Sequence, residues 1–153
     1  VSGRAARQGV TIVPHFPGQP LKALVDRGQI RQLLLNFLLN SMDAMPDGGR
    51  VDIRVEDGMA ARQAGPGVGT VASDSAASTL GLSIRVVDEG AGVPQHLLPK
   101  IFAPFVTTKE TGTGLGLSLC SRIAAAHGGR ITARNRSPRG AEFTLELPAD
   151  ALG

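Results

Sequence analysis

The sequence predicts an α/β domain, with amphipathic helices packed on a sheet. Three observations carry that expectation. Residues 26–45 are apolar at helical spacing, and Ile30, Leu34, Leu38 and Met45 share one face suited to packing on a sheet. Residues 50–56, 82–87 and 141–147 instead alternate with the two-residue period of strands. At 153 residues, 42% hydrophobic and 19% charged, the chain fits one globular domain with its own core.

Residues 1–9 show no strong pattern and read as the end of an upstream linker, ahead of a domain over 10–150. Residues 10–13 (VTIV) are a short strand candidate stopped by Pro14. Pro17, Gly18 and Pro20 mark a loop, and 21–25 reads as another short strand. Asp26 suits a helix N-cap, with Gln29 as its capping-box partner. The helix runs to about Met45 and is closed by Pro46-Asp47-Gly48-Gly49. Leu35, Leu39 and Met42 widen its apolar surface. Strands over 50–56 and 82–87 form a hairpin, joined by a long Ala-, Gly- and Ser-rich insertion over 58–80. Residues 94–100 are a short helix or turn, and 101–105 (IFAPF) a hydrophobic latch. A helix follows over 117–126, capped by Gly128-Gly129. Strands at 130–135 and 141–147 form a closing hairpin, with Phe143, Leu145 and Leu147 facing inward.

Composition excludes several classes. A net charge of +3, no Trp or Tyr and only five Phe argue against a nucleic-acid partner. The single Cys120 rules out a disulfide framework within the chain, points to a reducing compartment and reads as a buried core thiol. No apolar run is long enough to span a bilayer, so a cytoplasmic location is expected. The chain starts at Val1 without Met and reads as a fragment of something longer, itself monomeric. His15, His96 and His127 are too scattered for a metal site or a triad.

Three places look built for chemistry. Gly112, Gly114 and Gly116 stand at the mouth of the 117–126 helix, with Lys109 upstream. Glycines there let unpaired helix amides approach a phosphate, which the macrodipole also favours. The alternative is a flexible hinge before a core helix. Asn36, Asn40 and Asp43 form a stripe within about 60° on the 26–45 helix. Asparagine is a poor helix-interior residue, so these read either as oxygen ligands for Mg²⁺ and polar groups for a nucleotide, or as side chains bonded to nearby backbone. Asp88 continues the parity of Leu82, Ile84 and Val86, which puts a carboxylate at the core edge. Such a group must find donors, either an adenine amino group or the backbone amides of the turn. Gly90 and Gly92 let the chain turn tightly there.

The order of these motifs resembles the catalytic and ATP-binding domain of sensor histidine kinases, within the ATPase superfamily that includes gyrase, Hsp90 and MutL. Residues 32–45 (QLLLNFLLNSMDAM) resemble the N box, 88–92 (DEGAG) the first glycine box, 101–105 (IFAPF) the F box and 112–116 (GTGLG) the second glycine box. TTKETGTGLGLSL is most similar to the nitrogen-regulation and oxygen-sensing subgroup. The resemblance spans roughly residues 10–148. It implies a two-layer α/β (α+β) sandwich of the Bergerat type, a mixed sheet of about five strands backed by about three helices.

It also implies ATP and Mg²⁺ as cofactors, with roles for particular residues. Asn40, with Asn36 beside it, would ligate Mg²⁺. Asp43 would line the pocket near the ribose or phosphates, and Asp88 would bond the adenine amino group. Gly90, Gly92 and Val93 would shape the adenine side. Thr108, Lys109, Gly112, Thr113, Gly114, Leu115 and Gly116 would enclose the phosphates, within an ATP lid over 93–116 that is mobile without nucleotide. Phe102 and Phe105 would anchor that lid. Two departures stand out. Ala141 occupies a place where the family often has Thr, and the 58–80 insertion is longer than usual.

The implied activity is transfer of the γ-phosphoryl of ATP to a histidine, with Asn36 and Lys109 as the catalytic pair. Hydrolysing relatives have Glu at the place of Asn36, and Asn cannot take a proton from water. The acceptor would lie on a histidine-bearing dimerisation domain of the same parent protein, followed by a response regulator; that parent could still be membrane-anchored. The alternatives are a serine protein kinase of the anti-sigma type and a non-catalytic nucleotide-binding module.

Overall fold

Strands β1 (Val10–His15), β2 (Gly49–Asp57), β3 (Leu80–Asp88), β4 (Arg130–Asn135) and β5 (Ala141–Pro148) form one mixed sheet in the order β1-β2-β3-β5-β4. β1 runs parallel to β2, and every other pairing is antiparallel. Helices α1 (Ser2–Gln8), α2 (Arg27–Asp43) and α3 (Gly116–Ala126) complete the described elements, with a 3-10 turn at Leu98–Lys100. This computed structural model describes residues 2–19, 21, 23–57, 80–106 and 116–148. The sheet, backed by helices, is the two-layer sandwich that the resemblance implies, and β2 and β3 pair as the expected hairpin.

Alternation along the strands separates the two faces of the sheet. Leu82, Ile84 and Val86 on β3 stand opposite Leu147, Leu145 and Phe143 on β5, and all six are buried. The Phe143 ring lies 5.3 Å, centroid to centroid, from Phe37 of α2, tying that helix to the sheet. The other face carries a cross-strand charge ladder. Arg85 bonds both oxygens of Glu56 at 2.6 Å, Arg134 bonds Glu142 at 3.0 Å, and Arg130 bonds Glu146 at 2.5 Å. Opposite charges facing each other across paired strands stabilise the register.

α2 and α3 run antiparallel, as three contacts show. Asn36 meets Gly116, the Cys120 thiol approaches the Leu33 carbonyl at 3.6 Å, and His127 Nε2 accepts from the Asp26 N–H at 3.0 Å. His127 Nδ1 bonds the Ile123 carbonyl at 2.8 Å, so the ring ties the end of α3 to the start of α2. Asp26 caps α2 as expected, its Oδ1 accepting from the Gln29 N–H at 3.0 Å. Cys120 is fully buried, and burial pushes its thiol pKa up to about 11.

Four expectations are corrected. Residues 2–8 are not a trailing linker but a helix, with Ala5 in the core. β1 continues through Pro14 to His15, because an edge strand tolerates a missing donor. Leu21, Ala23 and Val25 form no strand and pack irregularly against the core. The face of α2 turned inward is Leu33, Phe37, Ser41 and Met42, with only Met45 of the predicted set buried. Ile30, Leu34 and Leu38 instead line an open groove with Ala23, Val25 and Leu35, rimmed by Arg27 and Arg31. α2 is apolar nearly all round, so its periodicity allowed two faces, and packing chose the one carrying the larger Phe37.

Candidate functional site

Asp88 ends β3 with its carboxylate directed into the layer between sheet and helices, 1% exposed. Its Oδ1 accepts from the Gly90 N–H at 2.8 Å and from the Ala141 N–H at 3.2 Å. Its Oδ2 is buried with no protein partner. Ser41 on α2 is fully buried, and its hydroxyl likewise has none. Burial pushes the Asp88 pKa above the ordinary carboxylate value. The Gly90 and Ala141 amides, the nearby Ser41 hydroxyl and the Arg136 charge pull the other way. The backbone-amide alternative is what the structure shows for one oxygen, and the other makes no hydrogen bond to the protein.

The chain turns sharply after Asp88, and glycine is required at two points. A Cβ on Gly90 would lie 2.7 Å from both the Ala44 Cβ and the Ala44 carbonyl oxygen. A Cβ on Gly140 would lie 2.1 Å from the Asp88 carbonyl oxygen, and its φ of +110° is costly for any other residue. The β4–β5 hairpin thus packs backbone to backbone against the DEGAG loop. Arg139 Nε donates to the Gly90 carbonyl at 3.2 Å. Beyond Gly92, the Asn135 carboxamide clamps Val93. It accepts from the Val93 N–H at 2.7 Å and donates to the Val93 carbonyl at 2.6 Å, standing in for a strand partner.

α2 forms the other wall. Asn36 Nδ2 donates to the Gly116 carbonyl at 3.2 Å, at the first residue of α3. Asn40 Nδ2 donates to the Asn36 carbonyl at 3.0 Å, the local backbone bond anticipated as the alternative. Asp43 forms an ion pair with Arg4 of α1. At the far end of α2, the Ala91 N–H donates to the Ala44 carbonyl at 3.4 Å. One helix therefore touches both the start of α3, through Asn36, and the DEGAG loop, through Ala44. Thr108, Lys109, Gly112, Thr113, Gly114 and Leu115 lie outside the described residues, as do residues 58–79. Of the expected lid anchors, Phe102 packs against the core, but Phe105 is 76% exposed. Phe105 has a φ of +65°, and Ile101 at the start of the same segment is buried.

Sequence reasoning missed Ser41 and Asn135. Ser41 had a signal, a lone hydroxyl one position after Asn40 in an otherwise apolar stretch. Asn135 had none, because its partner lies 42 residues away. Among the described residues, no group of three or more His, Cys, Asp or Glu side chains could hold a metal ion, and no helix is long and apolar enough to cross a membrane.

Comparison with known proteins agrees with this geometry. Residues 25–151 match the family model for histidine kinase-, DNA gyrase B- and HSP90-like ATPases. Sporulation kinase D of Bacillus subtilis is 38% identical over 133 residues, covering 87% of this chain and 22% of the relative. Sensor protein FixL of Bradyrhizobium diazoefficiens is 36% identical over 133 residues, covering 87% and 23%. The chain thus spans under a quarter of the length of these relatives. The catalytic domain of histidine kinase ThkA, solved nucleotide-free, superposes with a TM-score of 0.74 at 29% identity, covering 97% of this chain and 86% of that one. Full-length ShkA in complex with AMPPNP superposes with a TM-score of 0.73 at 30% identity, covering 96% and 27%.

Proposed function

Because the chain belongs to the histidine kinase-, DNA gyrase B- and HSP90-like ATPase family, we propose that it binds ATP with Mg²⁺ and passes the γ-phosphoryl to a histidine on a separate dimerisation domain, for relay to a response regulator. One observation carries the nucleotide half of this reading. Asp88 Oδ2 and the Ser41 hydroxyl are buried close to one another, and neither makes a well-formed hydrogen bond to the protein. Buried polar atoms left unpaired are costly, and a site that binds a polar ligand is a reason to keep them. A carboxylate oxygen suits the amino group of adenine. The Ser41 hydroxyl suits a second ring atom or a bridging water, which offsets the hydroxyl that Ala141 lacks.

The residues on α2 fit the phosphate end. Asn36 and Asn40 carry carboxamide oxygens, hard neutral ligands of the kind Mg²⁺ accepts, and Gly116 opens a helix whose first amides favour phosphate. Gly92 and Val93 shape the adenine side, and Asp43 lines the pocket near the ribose or phosphates. Thr108, Lys109, Gly112, Thr113, Gly114 and Leu115 complete the enclosure in this reading, with Lys109 neutralising charge on the transferred group. ATP supplies the phosphoryl group, and this chain's own residues hold, orient and neutralise it. Asn36 cannot act as a base toward water, which favours transfer over hydrolysis.

The test combines calorimetry and transfer. The chain is titrated with ATP-Mg²⁺, then mixed with ATP-Mg²⁺ and a histidine-bearing dimerisation domain of a related kinase. Phosphohistidine on that domain is the expected product. Phosphoserine on a partner would instead indicate the serine-kinase reading, and binding without transfer a regulatory module.

A further inference from the structure

Helix α1 meets the nucleotide-facing helix at its weakest point. The last turn of α2 holds Asp43 and no basic residue, so a carboxylate sits at the helix end that already carries negative charge. α1 supplies what is missing. Gln8 Nε2 donates to the Met42 carbonyl at 2.5 Å and to the Met45 carbonyl at 2.8 Å, capping the end of α2 from outside. Arg4, one turn earlier, donates from Nε to Gln8 Oε1 at 3.3 Å and pairs through its terminal nitrogen with Asp43 Oδ1. Ala5 between them is buried, which seats the helix. Asp43 in turn lies on the stripe of Asn36 and Asn40. A bare carboxylate there would repel a polyphosphate.

We propose that Arg4 is a positioning residue of the nucleotide site, holding and neutralising Asp43 so that the phosphate end of the ligand does not face uncompensated negative charge. This rests on the proposed reading in which Asp43 lines the pocket near the ribose or phosphates. Both side chains are partly exposed, at 40% and 27%, so the effect is modest and falls with added salt.

Calorimetry on the whole chain at low salt tests it, with ATP-Mg²⁺ and adenosine as paired probes. Arg4→Gln is expected to weaken ATP-Mg²⁺ binding about fivefold while leaving adenosine unchanged. Arg4→Lys, which keeps the charge, should retain most of the affinity, and adding Asp43→Asn to Arg4→Gln should restore it. Loss of ATP and adenosine binding in equal measure would mean that Arg4 only braces the fold, and would overturn the proposal. So would an unchanged ATP affinity in Arg4→Gln, or a double variant that fails to recover. A wild-type chain that bound neither probe would instead overturn the nucleotide reading, and this inference with it.

Discussion

Asp88 concentrates the chemistry of the site in one side chain, and its two oxygens have different tasks. Oδ1 holds the loop through two amides, and Oδ2 makes no hydrogen bond to the protein, which is why the proposed reading gives it to the adenine amino group. Asp88→Asn can keep the first task, because the amide oxygen can accept both bonds while the NH₂ takes the place of Oδ2. That NH₂ would then meet the adenine amino group donor to donor. ATP affinity is expected to fall about 10- to 100-fold by calorimetry, with the fold intact. The pH dependence has a definite sign. Burial raises the folded pKa, so the neutral form is favoured in the fold. That contribution is fully present below the unfolded value and is lost as pH rises through the folded one. Nucleotide-free Asp88→Asn should therefore melt above wild type at pH 7, and the gap should close below about pH 4. Ser41→Ala removes a hydroxyl that lies beside the Asp88 carboxylate without a well-formed hydrogen bond, so it should change the melting temperature little while weakening ATP. An unchanged affinity would remove Ser41 from the site.

The elements that form the site were legible to different degrees. α2 could be read from its cap and its apolar run, and Asp26→Ala should cost about 1 kcal/mol, lowering the melting temperature by about 2–4 °C. Its inward face could not be read, because Leu34 and Leu38 repeat at the same spacing as Leu33 and Phe37. α1 escaped the sequence reading because seven residues carry too little periodicity to declare a helix. It holds through Gln8 and Arg4 contacts to residues about 35–40 positions away. The β4–β5 hairpin was expected from its strands and turn, but its hold on the DEGAG loop was not. Gly140→Ala tests that hold. The added methyl cannot fit against the Asp88 carbonyl, so both melting temperature and ATP affinity should fall together.

Across the whole molecule, stability and the polar stripe draw on different faces of α2: Leu33, Phe37 and Met42 are buried, while Asn36, Asn40 and Asp43 lie beside them on a separate stripe. The core lies where α2 crosses β3 and β5, around the Phe37–Phe143 pair. Phe37→Ala should cost about 3–5 kcal/mol. Leu34→Ala, on the open groove, should cost less than about 1 kcal/mol in a denaturant titration. A reversed order would mean that the groove face is the buried one in solution. The candidate polar site borders that core, with Asp88 and Ser41 themselves buried.

The local signals in the chain, a cap, a period, a glycine after a strand, were sufficient for most strands, two of the helices and the resemblance carried by the four ordered boxes, since each depends on neighbours a few residues apart. Which face of α2 turns inward, which oxygen of Asp88 stays unpaired, and which distant side chains hold Val93 and Asp43 were decided only in the folded chain. The helix face depends on packing such as Phe37 against Phe143, and the hydrogen-bonded outcomes depend on groups 39 to 53 residues apart meeting. No periodicity along the chain encodes such a meeting.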